Sequence, residues 1–571
     1  MPTRHAENAR SLRAGPQGHL LDVTLRKEAD AALADVSVHS ATLCRADTNR
    51  QLQKAAKCCA PRLLAELADA PAEVPIVLAG REALESVLGM TQLLIARGFV
   101  WRAPELDLEH ASKLHAHAMR KRNARTATLK LAAETYAWRA LLAGRMLLPT
   151  LAPSFVVRAE TWAPLFRIDL ARAGRAVRGD LPDPLEDAGE HTVSADVRDA
   201  GALGPDVSFD IETDGVERHS RILCVGLSDG ERTHVVWPWQ PSMAPALSAF
   251  LRGRSRAIAH NANFDVSMLE RDGVSFGGVR VEDTLLAHHA YASHWPQRLD
   301  FVATQFLDSA PWKIRFGRRG KREREQLPHE MPGDQLCLYN AADCRITARV
   351  WKRMQGTLES ERHVYEHDRE LAQLCRGMRD EGIGVDVARR DELRAALSVQ
   401  RTSLVEEMRA IAGQDFSPSK TADVRRYVYD RAGARPLRVS ETGVPSTDNL
   451  FLEAYRGAGE TPLGRFCTAL LRWRVADKID STYLAVATPD PDGRKRYDWK
   501  PFGTVSGRLS GRLQSCPRYS PKSPESRVRE IYVPRDGSTF VYFDVSQAEM
   551  RLAAYLSADP VFMVACGSDV H

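Results

Sequence analysis

The sequence predicts a multidomain α/β protein, and three observations carry that reading. At 571 residues the chain is several times the roughly 100–200 residues of one domain, so three or more units are expected. Alternating apolar residues at Val207, Phe209 and Ile211, followed by the apolar run 222–227, read as strands of one sheet turning at Asp214-Gly215. From about residue 360 to 412 the pattern becomes that of long helices, a region expected to be all-helical.

Composition narrows the class further. Hydrophobic residues at 44% and charged residues at 27% are those of an ordinary folded chain. The net charge of +5 is small for this length, so any nucleic-acid footprint must come from local clustering of basic residues. The most apolar stretch, 141–157, is broken by Arg145, Pro149 and Pro153, and no membrane span is expected. The first residues, MPTRHAENARSLRAG, lack the apolar core of a secretory signal. Ten scattered cysteines suit a reducing compartment, and a cytoplasmic location is expected.

Residues 1–175 form the first expected unit. The stretch 171–206 is rich in Gly, Pro, Asp and Ala, so 176–206 is expected to be a linker. The second unit spans 207–355, with helical patterns near 245–252 and 283–291. The third spans 356–571; there a last strand, 539–544, should run into a helix from Gln547 to about Leu556.

Three short segments of the second unit carry acidic residues in apolar settings. Asp210-Ile211-Glu212 ends a strand, and period-two alternation puts both carboxylates on one face. HNANFD holds Asn261, Phe264 and Asp265, and YNAADCRIT holds Tyr339 and Asp343, four apart on one helical face. Two-metal phosphodiester hydrolysis needs several carboxylates converging on two ions, and hard oxygen ligands select Mg²⁺ or Mn²⁺. A phenol such as Tyr339 is placed to hold an attacking water. A lone Asp-x-Glu is more often a solvated face, and it is the order and separation of all three segments together that make a specific pattern. The basic run 313–324 (KIRFGRRGKRER), with seven Lys or Arg and one Glu, is either a solvated loop or a phosphate contact beside this site.

Together these segments resemble the DEDD exonucleases of the tyrosine type, which have an RNase H-like fold. The resemblance implies that Asp210, Glu212 and Asp343 hold one metal, that Asp210 and Asp265 engage a second, and that Tyr339 positions water. It also implies that Asn261 and Phe264 bind the DNA substrate, a primer-template or a single-stranded 3′ end.

The third unit resembles a family A DNA polymerase of the bacterial or phage polymerase I kind. The segment 366–386 (core ELAQLCRGMRDEGIGVD) looks like the entry to the polymerase region, and Glu441-Thr442-Gly443 through Tyr455 comes after Ser440 where the family has threonine. DKIDSTYL, with Lys478, Ser481, Thr482 and Tyr483, is similar to the helical thumb segment that grips primer–template backbone. Thr504 to Ser510, with Leu513-Gln514-Ser515-Cys516-Pro517 after it, resembles the TGRLSS…LQNIP segment, in which an arginine, here Arg508, reaches the minor groove. Here the intervening loop is shorter, and serine stands where the family has asparagine. FDVSQAEMRLAAYLSAD is close to the family's motif A. That match implies that Asp544 is a catalytic metal ligand of the palm and Glu549 the steric gate, with Gln547 and Arg551 beside them.

The family takes its second palm aspartate and its nucleotide-binding helix from later motifs, whereas this chain ends mid-palm at His571. The expectation is therefore the N-terminal portion of a polymerase from a split or interrupted gene, or an incomplete sequence. Such a chain would carry a proofreading exonuclease and a partial palm, and would use deoxynucleotides only with a complementing C-terminal fragment. A stand-alone exonuclease and a non-catalytic DNA-binding remnant are the alternatives.

Residues 15–175 resemble the iron–sulfur-type uracil-DNA glycosylases through GHLLDVTLRKEADAALADVSVHSATLCRADTNR, CCAPRLL, VPIVLAGREALESVLG and LLPTLAPSFVVR. Cys44 and Cys59 fall near two cluster-ligand positions, but no cysteine precedes Cys44, the early catalytic loop is missing, and Ala152 replaces the histidine before Pro153-Ser154. The domain is read as degenerate and inactive in base excision, and its sequence leaves DNA binding and cluster binding open. Cys44, Cys58 and Cys59 are expected to be buried thiols. Some phage polymerases carry such a domain, and the resemblance points to a phage origin.

Overall fold

The computed structural model describes residues 15–41, 49–103, 135–137, 139–181, 190–313, 328–439, 443–457, 460–520 and 523–567. Of the expected features, Cys44, the basic run beyond Lys313 and the segment 440–442 lie outside these residues. The chain forms two compact units. One joins Met1–Asp380, Gly433–Phe451 and Asp498–Gln514; the other joins Glu381–Ala432, Leu452–Tyr497 and Ser515–His571.

The first unit opens with a small α/β layer. Strands β1 (Ile76–Ala79), β2 (Trp101–Arg102) and β3 (Met146–Thr150) form a sheet in the order β1-β3-β2, with β1 parallel and β2 antiparallel to the centre. The longer helices here are α1 (Gly15–Thr24), α2 (Asn49–Ala68), α3 (Arg81–Leu88) and α4 (Ala163–Arg178). Leu63 and Leu64 of α2, Leu84 and Val87 of α3 and Ile76 and Leu78 of β1 bury into one core, the apolar face these helices must cover. Cys58 is exposed and Cys59 half-buried, so the expectation of buried thiols fails for both. They sit side by side on α2, and adjacent helical residues point about 100° apart, so one apolar face cannot take both.

The expected linker is largely structured. Helix α4 runs to Arg178 and ends on Gly179, whose φ of 74° lies in the left-handed region. His191–Ser194 then forms strand β4, and Val197, Ala200 and Leu203 enter the neighbouring core. The stretch looked like a linker because β4 is an edge strand with no fully buried residue, which needs few large apolar side chains.

Six strands make the central sheet, in the order β4-β7-β6-β5-β8-β9. They are β4, β5 (Asp206–Thr213), β6 (Ile222–Ser228), β7 (Thr233–Val236), β8 (Arg256–Ala259) and β9 (Arg280–Asp283). The β5–β6 and β6–β7 pairs are antiparallel, the others parallel. Helices α5 (Ala244–Arg252) and α6 (Ala262–Arg271) supply Leu247, Leu251, Val266 and Leu269 to the core that also holds Val207, Phe209 and Ile211. A second core joins α7 (Thr284–Ala292), α8 (Leu299–Phe306), α9 (Gly333–Leu358) and α10 (Arg362–Glu381). Glycine at 226 lets α9 lie close on β6: a Cβ there would sit 2.3 Å from Asn340 Oδ1 and 2.6 Å from Cys344 Sγ. The first unit also holds Trp499–Lys500 paired antiparallel with Ser510–Gly511.

In the second unit, α11 (Val387–Ala412) and α12 (Pro462–Ile479) pack through Leu393, Leu397, Ala476 and Ile479. A short strand, Ile383–Val385, precedes α11 and pairs with Arg494–Lys495 and Tyr532–Val533, so the region 360–412 is not wholly helical. Two helices lie near the C-terminus, α13 (Ala548–Ser557) and α14 (Pro560–Ala565). The expected strand 539–544 is not formed. A run of apolar residues becomes a strand only against a neighbour that takes its N–H and C=O groups, and no described residue offers that ladder.

Candidate metal centre

Strand β5 presents Asp210 and Glu212 on the face that meets α9, and α9 presents Asp343 from the other side. Oxygens of these three carboxylates lie within 4.8 Å of one another, the one such group of potential metal ligands among the described residues. The alternation of β5 and the close approach over Gly226, which pairs with Asp210, bring them together. Asp265, in the first turn of α6, is buried and accepts the Ile211 N–H at 3.1 Å. Its charge acts on Asp210, but it is not one of the three converging ligands.

The electrostatics are those of a site built for a cation. Burial, then the charges of Asp265, Asp343 and Glu212, pushes the Asp210 carboxyl well above the usual carboxylate range. Glu212 is pushed up to about 8 by burial and by Asp343, against the pull of Lys313. Asp265 is pushed up to about 7, chiefly by burial. Carboxylates so crowded do not all ionise together unless positive charge joins them. Hard oxygen donors in this number fit a divalent cation such as Mg²⁺ or Mn²⁺.

Several groups hold these ligands in place, and sequence reasoning missed most of them. Asn340 Nδ2 donates to Asp210 Oδ2 at 2.8 Å. It lies one residue from Tyr339, and its helical spacing of three from Asp343 was the available signal. Lys313 Nζ pairs with Asp343 Oδ2 at 2.6 Å, and Trp312 Nε1 donates to Asp343 Oδ1. Burial opposes the charge on Lys313, but Asp343 beside it holds the ammonium above its usual range. The Lys313 ammonium also lies 5.4 Å from the centroid of the half-buried Tyr339 ring. Burial and then Asp343 push the Tyr339 phenol up, so it keeps its proton at neutral pH.

Asp283 is another group the sequence did not single out. Its carboxylate accepts the N–H groups of Asn261 (3.0 Å) and Ala262 (2.9 Å) at the start of α6, and that of Leu285 (2.8 Å) at the start of α7. Asn261 itself has φ 69°, a left-handed conformation that asparagine tolerates. One buried acid thus caps two helices, and the pattern Asp-Thr-Leu-Leu was its signal. Phe264 is half-buried against the sheet core.

The remaining expected site residues lie elsewhere. Arg508 and Gln514 are exposed in the first unit, on a segment resting on α7: His289 Nε2 meets the Thr504 carbonyl, and Ser293 Oγ donates to the Val505 carbonyl, both at 3.1 Å. Lys478 and Ser481 are exposed and Thr482 half-buried at the end of α12. Asp544, Glu549 and Arg551 are exposed, with Gln547 half-buried at the N-cap of α13. No described carboxylate joins Asp544 in a ligand cluster.

With this geometry in view, the six-stranded sheet and its acidic centre define the first class: residues 190–359 match the family model described as a 3′-5′ exonuclease. Residues 387–571 match that of DNA polymerase family A, and the chain belongs to the family A DNA polymerases with a 3′-5′ exonuclease domain. It is 28% identical over 331 residues to DNA polymerase I of Synechocystis sp., covering 55% of this chain and 32% of the relative. DNA polymerase I of Chloroflexus aurantiacus is 25% identical over 417 residues, 68% of this chain and 43% of that one. The thermostable DNA polymerase I of Thermus aquaticus is 28% identical over 242 residues, 40% and 28% of the two chains. This chain thus spans less than half the length of each of these relatives. The POL domain of Pol1 from M. smegmatis, solved with DNA primer-template and dNTP, shares the fold, with TM-score 0.51 and 20% identity over 66% of this chain and 65% of that one. Among the described residues no helix is long and apolar enough to cross a membrane.

Proposed function

We propose that this chain shortens DNA from its 3′ end by metal-dependent phosphodiester hydrolysis, and that it is the proofreading portion of a family A DNA polymerase. The observation that carries this reading is the convergence of Asp210, Glu212 and Asp343, crowded enough to call for positive charge. Two Mg²⁺ or Mn²⁺ ions bound there would supply an activated water and steady the charge on the phosphate. Asp210, Glu212 and Asp343 would hold one ion, with Asp265 sharing Asp210 on the second. Tyr339, protonated at neutral pH, would orient the water by donating or accepting a hydrogen bond. Lys313 and the basic run after it would meet substrate phosphates, with Asn261 at the single-stranded end.

On the polymerase side, Arg508, Gln514, Lys478, Ser481 and Thr482 would contact primer–template, and Asp544 with Gln547, Glu549 and Arg551 would form half of a nucleotidyl-transfer site. Nucleotidyl transfer would need a second carboxylate beside Asp544, and no described carboxylate joins it. The N-terminal α/β domain is read as a degenerate glycosylase-like module that binds DNA, with the chain acting in the cytoplasm of a bacterial or phage-infected cell.

The test uses purified chain, a 5′-labelled primer–template with a mismatched end, and Mg²⁺. Shortening that disappears in Asp210→Ala supports the exonuclease, whereas DNA binding without shortening would make the chain a binding remnant. Primer extension with deoxynucleotides present, abolished in Asp544→Ala, would show that Asp544 takes part in nucleotidyl transfer.

A further inference from the structure

The aspartate that α9 contributes to the metal centre is held from outside the exonuclease sheet. Trp312 donates its indole N–H to Asp343 Oδ1. The same indole meets Phe99 edge-on, with ring centroids 5.8 Å apart and planes at 82°. Phe99 is buried in the N-terminal core with Leu84, Trp101 and Leu147, and Trp312 packs against that core and against the α7–α9 core at once.

The backbone leading to Trp312 is fastened to the N-terminal domain at several points. Arg97 Nη2 donates to Thr304 Oγ1 at 2.6 Å, and the Val100 N–H donates to the Ser309 carbonyl at 3.1 Å. Arg172 Nη2 donates to the Thr304 carbonyl at 2.8 Å and the Leu307 carbonyl at 3.1 Å, while its Nε meets Asp308 at 2.8 Å. Both arginines are buried, and Asp169, itself fixed by Thr150 at 2.7 Å, supplies their counter-charge. Buried guanidinium groups with this many acceptors pin a segment firmly, because any shift strands a charge away from water.

We propose that Trp312 is a positioning residue for the exonuclease metal centre, set in place by the N-terminal domain through Phe99 and the clamped segment 304–313. Its N–H fixes the rotation of the Asp343 carboxylate at which an oxygen converges with those of Asp210 and Glu212. An indole does this without charge. Lys313, on the other carboxylate oxygen, competes with an entering cation, whereas Trp312 orients the ligand and leaves its negative charge available. The N-terminal domain thereby acts on a reaction whose ligands it does not supply. This inference rests on the metal-centre reading above.

The experiment measures Mn²⁺ bound to the full chain from the electron paramagnetic resonance signal of free Mn²⁺. Asp210→Ala defines the background, and Trp312→Phe keeps a ring against Phe99 while removing the donor. The expected result is Mn²⁺ affinity about 10–100-fold weaker in Trp312→Phe, the range lost when a partner orienting a metal ligand is removed. Exonuclease activity should recover at high Mn²⁺, which a distorted fold would not allow. If Trp312→Phe fails to fold, Phe99→Leu, which loosens the seat of the indole, should show a weaker loss of the same kind. Wild-type affinity in Trp312→Phe, with Asp210→Ala still unable to bind, would overturn the positioning role and leave the metal centre standing. Equal Mn²⁺ binding by wild type and Asp210→Ala would overturn both.

Discussion

At the carboxylate centre, burial and mutual repulsion act in one direction on Glu212, raising it to about 8. A carboxyl group raised by folding binds its proton more tightly in the native state than in the unfolded one. Its contribution is therefore complete below the ordinary value near 4.5 and is lost as pH climbs from there to about 8. Without divalent metal, Glu212→Gln should gain stability over wild type at pH 8 and not at pH 4.5. In thermal melts with chelator present, a gain of about 1 kcal/mol would appear as roughly 2–4 °C for a domain of this size. The same difference at both pH values would mean that Glu212 titrates as an ordinary surface carboxylate. Asp210, Glu212, Asp265 and Asp343 were legible in the sequence because hydrolytic chemistry demands acidic side chains at a strand end and on facing helices. Asn340 and Asp283 left only local signals, a spacing of three from Asp343 and the pattern Asp-Thr-Leu-Leu, while Trp312 left none, because what makes it matter is Asp343, a partner on another element.

Elements carry their own constraints, and the contact of α9 with β6 is the tightest near the site. A methyl group at Gly226 would meet Asn340 and Cys344 at distances that force α9 outward. Gly226→Ala should cost about 1–3 kcal/mol, the usual range for overpacking. It should also lower nuclease activity, since Asp343 and Asn340 would move with the helix. A melt unchanged from wild type would show that α9 yields without strain. Asp283→Ala should cost about 2 kcal/mol, near 1 kcal/mol for each helix it caps. Its loss of activity should be smaller than that of Asp210→Ala, measured side by side on labelled DNA. Periodicity foretold β5, β6, α5 and α7, whose apolar faces repeat on a buried core. It failed for β4, an edge strand with little to bury, and for 539–544, where an apolar run was present but a partner strand among the described residues was not.

At the scale of the whole molecule, apolar exposure among the described residues is concentrated near the C-terminus. Val541, Tyr542 and Phe543 are 80%, 81% and 92% exposed, and Leu552, Tyr555, Leu556, Val561 and Val564 of α13 and α14 are exposed as well. A contiguous stretch of this kind attracts other apolar surfaces. The exonuclease centre, by contrast, draws its three converging ligands from residues 210 to 343 of the other unit, and Phe99, Arg97 and Arg172, which seat Trp312, belong to that unit as well. Deleting 539–571 should therefore sharply reduce the binding of a hydrophobic dye such as ANS and the tendency of the chain to associate at micromolar concentration. The rate of 3′ shortening on single-stranded DNA should stay at the wild-type level, because none of the metal-holding groups is touched. Dye fluorescence would decide the first half and a labelled-oligonucleotide time course the second. If dye binding were unchanged, the apolar residues would be covered in solution, by one another or by a second chain. A fall in nuclease rate would show that the C-terminal segment supports the exonuclease centre after all.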